Sequence, residues 1–143
     1  MKISTRTRYG MRAILELACA YGAEPMQIKV IADRQKISNK YLEQLVAIIK
    51  SAGLVRSVRG PHGGYVLARD PAEIKLSEIF TVLEGQTLTV ECVDNQEVCE
   101  NSSDCITRKL WKQMNDAMLG VLENQTLQDL VKMTEKERMN YQI

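Results

Sequence analysis

Between Ser38 and Ala68 the chain passes from a capped amphipathic helix directly into a glycine-rich hairpin, and few folds accommodate that succession. Leu42, Leu45, Val46 and Ile49 recur at i, i+3, i+4 and i+7, the spacing of one helical face. Ser38 stands where a hydroxyl can cap the free N–H groups, and Gly53 where a left-handed terminal residue is wanted. At about 100° per residue, Lys40, Glu43, Gln44, Ala47 and Ser51 fall opposite the apolar stripe. That face must meet water or a partner. The run Leu54–Arg59, the turn Gly60-Pro61-His62-Gly63-Gly64 and the run Tyr65–Ala68 then read as two strands around a tight connection.

Upstream, the spacing predicts a helix from about Thr7 to Tyr21, with Gly10, Ile14, Leu17, Ala18 and Tyr21 on one face, ended by Gly22 and Pro25. A second short helix is expected from about Gln27 to Lys36, with Ile28, Val30, Ile31 and Ala32 as its apolar candidates. Two helices joined by a short turn, the second polar on its outer face, form a helix-turn-helix. A hairpin that follows at once is the wing of a winged-helix domain. Arg56, Arg59, His62 and Arg69 lie at its tip and base, where cations reach phosphates or an adjacent minor groove.

Beyond the break at Asp70-Pro71, Ser77 is expected to cap a short helix carrying Leu76, Ile79, Phe80 and Leu83, stopped by Gly85. The winged domain would span residues 1–85, followed by a cysteine-bearing loop over 86–103. From about Asp104 to Leu122 a long helix returns, with Ile106, Leu110, Met114, Ala117 and Val121 on one stripe and Trp111, Met118 and Leu122 beside it. A helix apolar on more than one side needs covering, so residues 104–143 are expected to hold a dimerisation helix and a tail. Thr126 and Asp129 announce a last short helix. The expected fold is mainly α with a small β-hairpin wing.

The formal charge of +1 hides a segregation: residues 1–75 carry 13 Lys/Arg against 6 Asp/Glu, and residues 76–143 carry 6 against 12. Only the first half suits a polyanion. With 45% apolar and 26% charged residues over 143, the composition is globular, and no apolar run approaches the roughly 18 residues of a membrane span. The start of the chain lacks the apolar core of a secretory signal, which makes the cytoplasm the expected location. Aromatics at 5% argue against base stacking as the main activity. Enzyme chemistry finds no constellation and no small-molecule substrate is expected. The sole histidine, His62, lies in the hairpin turn, and the glycine-rich turn lacks the pattern of a phosphate cradle.

Cys19 falls among Leu17, Ala18 and Ala20, the setting of a small core residue. Cys92, Cys99 and Cys105 cluster in the irregular segment, which points to a metal or redox site. Structural zinc prefers tight cysteine pairs, and none occurs here. Wider, loop-borne thiolates better suit an iron–sulfur cluster, and three of them leave a fourth position open. A structural zinc site and a metal-free thiol sensor remain alternatives.

The runs Ser38-Asn39-Lys40-Tyr41-Leu42-Glu43-Gln44-Leu45, Gly53-Leu54-Val55 and Val58-Arg59-Gly60-Pro61-His62-Gly63-Gly64-Tyr65, with the three cysteines and Leu110-Trp111, resemble the IscR-like family of bacterial winged-helix regulators of iron–sulfur-cluster assembly. The similarity covers roughly residues 1–133. It implies a homodimeric, cytoplasmic transcription factor on double-stranded promoter DNA, with Cys92, Cys99 and Cys105 holding a 2Fe-2S cluster, or a 4Fe-4S cluster in its place, whose state alters DNA binding. Asn39, Lys40, Tyr41, Glu43 and Gln44 would then lie nearest the major groove behind the Ser38 cap. Glu43 suits a cytosine amino group and Gln44 an adenine, Lys40 and Tyr41 suit phosphates, and Arg59, backed by Gly60 and His62, suits the flanking minor groove. One departure stands out. Family members place a histidine ligand three residues after the last cysteine, and nitric-oxide-sensing relatives use an N-terminal aspartate. This chain has Arg108 at the first position and no acid before Glu16. The fourth ligand is open among Glu91, Asp94, Glu97, Glu100, Asp104 and an exogenous thiol.

Overall fold

Ser4 starts the first helix earlier than the apolar spacing predicts. In the computed structural model, which describes residues 2–85 and 89–141, α1 spans Thr5–Cys19 and the Ser4 side chain accepts a hydrogen bond from the Thr7 N–H at 3.1 Å. The first three residues of the expected cysteine loop, 86–88, lie outside the described residues. Gly10, Ala13, Ile14, Leu17 and Ala18 are buried along one face of α1. Tyr21, expected on that face, is exposed, because the helix ends at Cys19 and no longer sets its direction.

α2 (Ile28–Gln35) buries Ile31 and Ala32, whereas Val30, an expected core residue, is 38% exposed. Lys36 closes this helix in the left-handed region at φ 54°, and its N–H donates to the Ala32 carbonyl. Two residues later, Ser38 caps α3 (Asn39–Ser51) by accepting from the Tyr41 N–H at 3.2 Å. Leu42, Leu45, Val46 and Ile49 are at most 1% exposed, and α3 packs across α1. The predicted helix-turn-helix is present.

The hairpin pairs β1 (Val55–Val58) antiparallel to β2 (Gly64–Leu67), with Val55 opposite Leu67 and Ser57 opposite Tyr65. It is not free-standing. The Met26 N–H donates to the Tyr65 carbonyl at 3.0 Å and the Tyr65 N–H to the Met26 carbonyl at 2.8 Å, tying the wing to the α1–α2 connection. A Cβ on Gly64 would stand 2.5 Å from the Met26 carbonyl oxygen, so this approach requires glycine.

α4 (Leu76–Glu84) begins without a side-chain cap; Lys75 holds the cap position and Ser77, the expected cap, lies inside the helix. The reason is tertiary. The Leu76 N–H donates to the Gln125 carbonyl at 3.0 Å, and the Leu127 N–H to the Ile74 carbonyl at 2.8 Å, within a short bridge that pairs Lys75 with Thr126. After α5 (Ile106–Glu123), Thr126 and Asp129 cap α6 (Leu127–Tyr141) reciprocally. The last helix runs 15 residues instead of a short stub, because Leu127 and Val131 enter the core against α1. α5 is different: Ile106, Leu110 and Val121 face outward.

α1 and α4 are fastened at their ends. The Glu84 carboxylate accepts from the Ser4 N–H at 3.1 Å, the Ser4 hydroxyl at 2.7 Å and the Thr7 hydroxyl, while Arg6 Nε donates to the Leu83 carbonyl at 2.8 Å. Burial pushes the Glu84 pKa up, but the hydrogen bonds from Thr7 and Ser4 and the nearby Arg6 charge outweigh it and hold the group below its ordinary value. A carboxylate depressed in the folded state stabilises above its unfolded pKa, and that stabilisation fades as pH falls through the folded value. We therefore expect Glu84→Gln to lower the melting temperature at neutral pH and to approach wild type on acidification. A difference that stays constant from about pH 7 to about pH 3 would contradict this assignment.

Candidate nucleic-acid interface and cysteine segment

With its apolar stripe buried, α3 turns Asn39, Lys40, Glu43 and Gln44 to solvent, and the capping Ser38 is exposed at its head. Tyr41 differs. It is half-buried, and its ring meets that of Tyr9 edge-on, with centroids 6.0 Å apart at 81°. Tyr9 opens a polar cluster on α1 and α2. Arg12 donates from Nε to Gln35 Oε1 and from Nη2 to the Gln35 carbonyl, both at 2.7 Å. Gln35 Nε2 donates to Glu16 at 2.6 Å, and Glu16 pairs with Arg34 at 3.2 Å. Apolar periodicity does not reveal this cluster. The available signal was Tyr9, one of few aromatics, at helical spacing from Arg12 and Glu16 on the polar side of α1.

On the wing, Arg56, Arg59, Gly60 and His62 are exposed. The turn closes with the Gly63 N–H donating to the Gly60 carbonyl at 3.0 Å, and Gly60 takes φ 114°, a conformation that side chains resist. Arg69 does not join this group: it is engaged by Glu78 at 2.6 Å at the base of the hairpin. Among the described residues Lys40, Arg56 and Arg59 have no carboxylate within ion-pair distance. A polar helix face and an unpaired cationic wing therefore lie on adjoining elements.

The segment between α4 and α5 holds two short 3₁₀ turns, Glu91–Val93 and Gln96–Val98. The Ser102 hydroxyl, itself buried, donates to the Gln96 carbonyl at 2.6 Å. Cys92 is half-buried, Cys99 is exposed, and Cys105 is the cap residue of α5. Arg108 ties the segment to α5, donating from Nε to the Cys92 carbonyl at 2.8 Å and from Nη2 to the Val93 carbonyl at 3.2 Å. Cys105 Sγ lies 3.2 Å from Thr107 Oγ1. Its hydrogen bond with Thr107, the Arg108 and Thr107 backbone N–H groups at the head of α5 and the Arg108 charge hold the thiol below its ordinary pKa. Cys19 packs at the edge of the core, and burial pushes its pKa up.

In donor type, three thiols on one segment fit an iron–sulfur cluster. In placement they are not gathered: among the described residues no three of His, Cys, Asp and Glu are grouped to hold a metal ion. The acids considered for a fourth ligand form no such group with the cysteines, and Arg108, a cation, cannot ligate. The segment supplies ligands without a preformed cage.

A helix-turn-helix whose second helix shows its polar face, followed by a basic wing, defines a DNA-binding transcriptional regulator. The comparisons agree. The family model Rrf2, described as an iron-dependent transcriptional regulator, matches residues 3–133. The chain is 42% identical over 141 residues to the HTH-type transcriptional regulator CymR of Bacillus subtilis, covering 99% of this chain and 97% of the relative. The solved structure of CymR, described as the global cysteine regulator of B. subtilis, matches with a TM-score of 0.79 at 41% identity, over 93% of this chain and 98% of that one. The structure of T. potens IscR matches with a TM-score of 0.80 at 39% identity, over 96% and 90%. This chain belongs to the Rrf2 family of transcriptional regulators. Its named relatives are regulators and not enzymes, and no helix among the described residues is long and apolar enough to cross a membrane.

The two opposite thiol shifts make a testable ordering. In reduced, metal-free protein at about neutral pH, iodoacetamide should label Cys105 well before Cys19, since the thiolate is the nucleophile. Peptide mass spectrometry over a time course reads the order directly, and earlier labelling of Cys19 would reverse the assignment.

Proposed function

We propose that this protein is a homodimeric cytoplasmic regulator that reads double-stranded promoter DNA with α3 and the wing and receives its signal at Cys92, Cys99 and Cys105. The observation that carries the reading is the exposed face of Asn39, Lys40, Glu43 and Gln44 beside wing cations that have no ion-pair partner among the described residues. On this reading Gln44 and Glu43 contact base edges, and Ser38, Lys40 and Tyr41 hold phosphates. Arg59, presented by Gly60 and His62, enters the flanking minor groove. Dimerisation through α5 is supported by its outward Ile106, Leu110 and Val121, an apolar row that nothing within the described chain covers. Gel shifts on a panel of operator variants separate the roles. Gln44→Ala should cost about 1–3 kcal/mol, concentrated at one base pair, whereas Lys40→Ala should weaken every variant alike. Uniform losses for both would refute base reading by Gln44.

For the signal, Cys92, Cys99 and Cys105 would hold an iron–sulfur cluster, 2Fe-2S or 4Fe-4S. The reading is supported by the three soft donors on one segment and by similarity to IscR. Such a cluster, when bound, supplies one-electron redox chemistry and sensitivity to oxidants and nitric oxide. The chain's own part is to present two thiols on short turns and one at the α5 head, with Arg108 anchoring the Cys92 backbone. Anaerobic reconstitution should give visible absorbance that is lost when all three cysteines are changed to Ala. Colourless protein with stoichiometric zinc would refute the cluster. A metal-free thiol switch is the second reading, favoured by the lowered Cys105 pKa and the ungathered thiols. It requires that oxidant alone alter operator affinity while forming a disulfide or sulfenate at these positions.

A further inference from the structure

Two cations on α1 reach the head of α3 through a tyrosine pair. The guanidinium carbon of Arg12 lies 5.3 Å from the centre of the Tyr9 ring and that of Arg8 lies 5.8 Å from it. Tyr9 in turn abuts Tyr41, a first-turn residue of α3. Arg8 is exposed, with Thr5 Oγ1 at 3.4 Å, and Arg12 is steadied by Gln35. Neither arginine has a carboxylate within ion-pair distance among the described residues, whereas Arg34 nearby is neutralised by Glu16. A guanidinium set over an aromatic ring is held in place, and with Arg12 Nε and Nη2 engaged by Gln35, its Nη1 can still donate outward. Two such groups lie one ring away from the α3 head.

We infer that Arg8 and Arg12 form a backbone clamp on α1 that binds phosphates of the duplex beside the major-groove site, extending the interface beyond α3 and the wing. The inference rests on the reading that α3 faces DNA. Where a recognition helix enters the groove by its N-terminal turn, the element beside that turn meets the sugar–phosphate strand and not the base edges. Immobilised guanidinium groups there are matched to phosphate oxygens. Their role is positional: they strengthen binding to every sequence equally.

The test is operator affinity measured across a series of salt concentrations for wild type, Arg8→Gln, Arg12→Gln, the double variant and Lys40→Ala. Each lost phosphate contact lowers the log–log salt slope by about 0.9, and a homodimer loses two contacts per substitution, so the single variants should each drop by about 1.8 and the double by about twice that. The losses should be equal on every operator variant. Arg8→Gln alters an exposed side chain, which keeps the test independent of the Arg12–Gln35 bonds. An unchanged slope for Arg8→Gln beside a reduced slope for Lys40→Ala overturns the clamp alone. Unchanged slopes for all the variants overturn the α3 interface and the clamp with it. A loss confined to one operator position overturns the phosphate assignment.

Discussion

Burial of Leu42, Leu45, Val46 and Ile49 on the inner side of α3 governs what this molecule offers to a partner. Each such side chain is worth about 1.5–3 kcal/mol when taken from water, so the stripe sets the rotation of α3 about its own axis. Turning the helix by one residue, about 100°, would begin to expose that stripe and push charged Glu43 toward the core. The outward placement of Lys40, Glu43 and Gln44 is thus a by-product of packing on the other side. Backbone pairing between Met26 and Tyr65 does the same for the wing, fixing where Arg59 and His62 stand relative to α1 and α2.

α1 is the common support. It packs against α3, α4 and α6, fastens the end of α4 through Ser4, Thr7 and Glu84, and touches the head of α3 through Tyr9. The cysteine segment begins just past Glu84, where α4 is fastened, and ends at α5, which it meets through Arg108. The segment is held mainly by backbone turns and by the Ser102 and Arg108 hydrogen bonds. Its thiols are correspondingly more open than the core residues: Cys99 is exposed and Cys105 sits at a helix head. The segment joins the body that carries α3 and the wing to α5, whose Ile106, Leu110 and Val121 are exposed.

Much of the fold was legible because its signals were local. The Ser38 cap, the Leu42–Ile49 stripe, the glycine-rich turn and the Thr126–Asp129 pair each act over a few residues, and each appears where the spacing places it. The misreadings share a different cause. Ser77 has the chemistry of a cap, but the α4 head is satisfied by a strand-like bridge to residues 125–127, some fifty positions away. Tyr21 lies past the end of α1, where the helix no longer sets its direction, and Val30 matches its helical pattern yet is exposed. Arg69 reads as a wing cation in the sequence, but Glu78, nine residues on, engages it at 2.6 Å.

The chain's residues by themselves determined that there is a capped recognition helix, a glycine-bearing basic hairpin and a thiol-rich segment, since periodicity, capping and turn chemistry are short-range properties. Only the tertiary structure decided which cations stay unpaired, that Tyr9 and Arg12 stand beside Tyr41, that Arg108 grips the Cys92 carbonyl, and that the three thiols are not gathered in one cage. Those outcomes depend on contacts between groups far apart in sequence, whose distances arise only once the shared core has closed around α1.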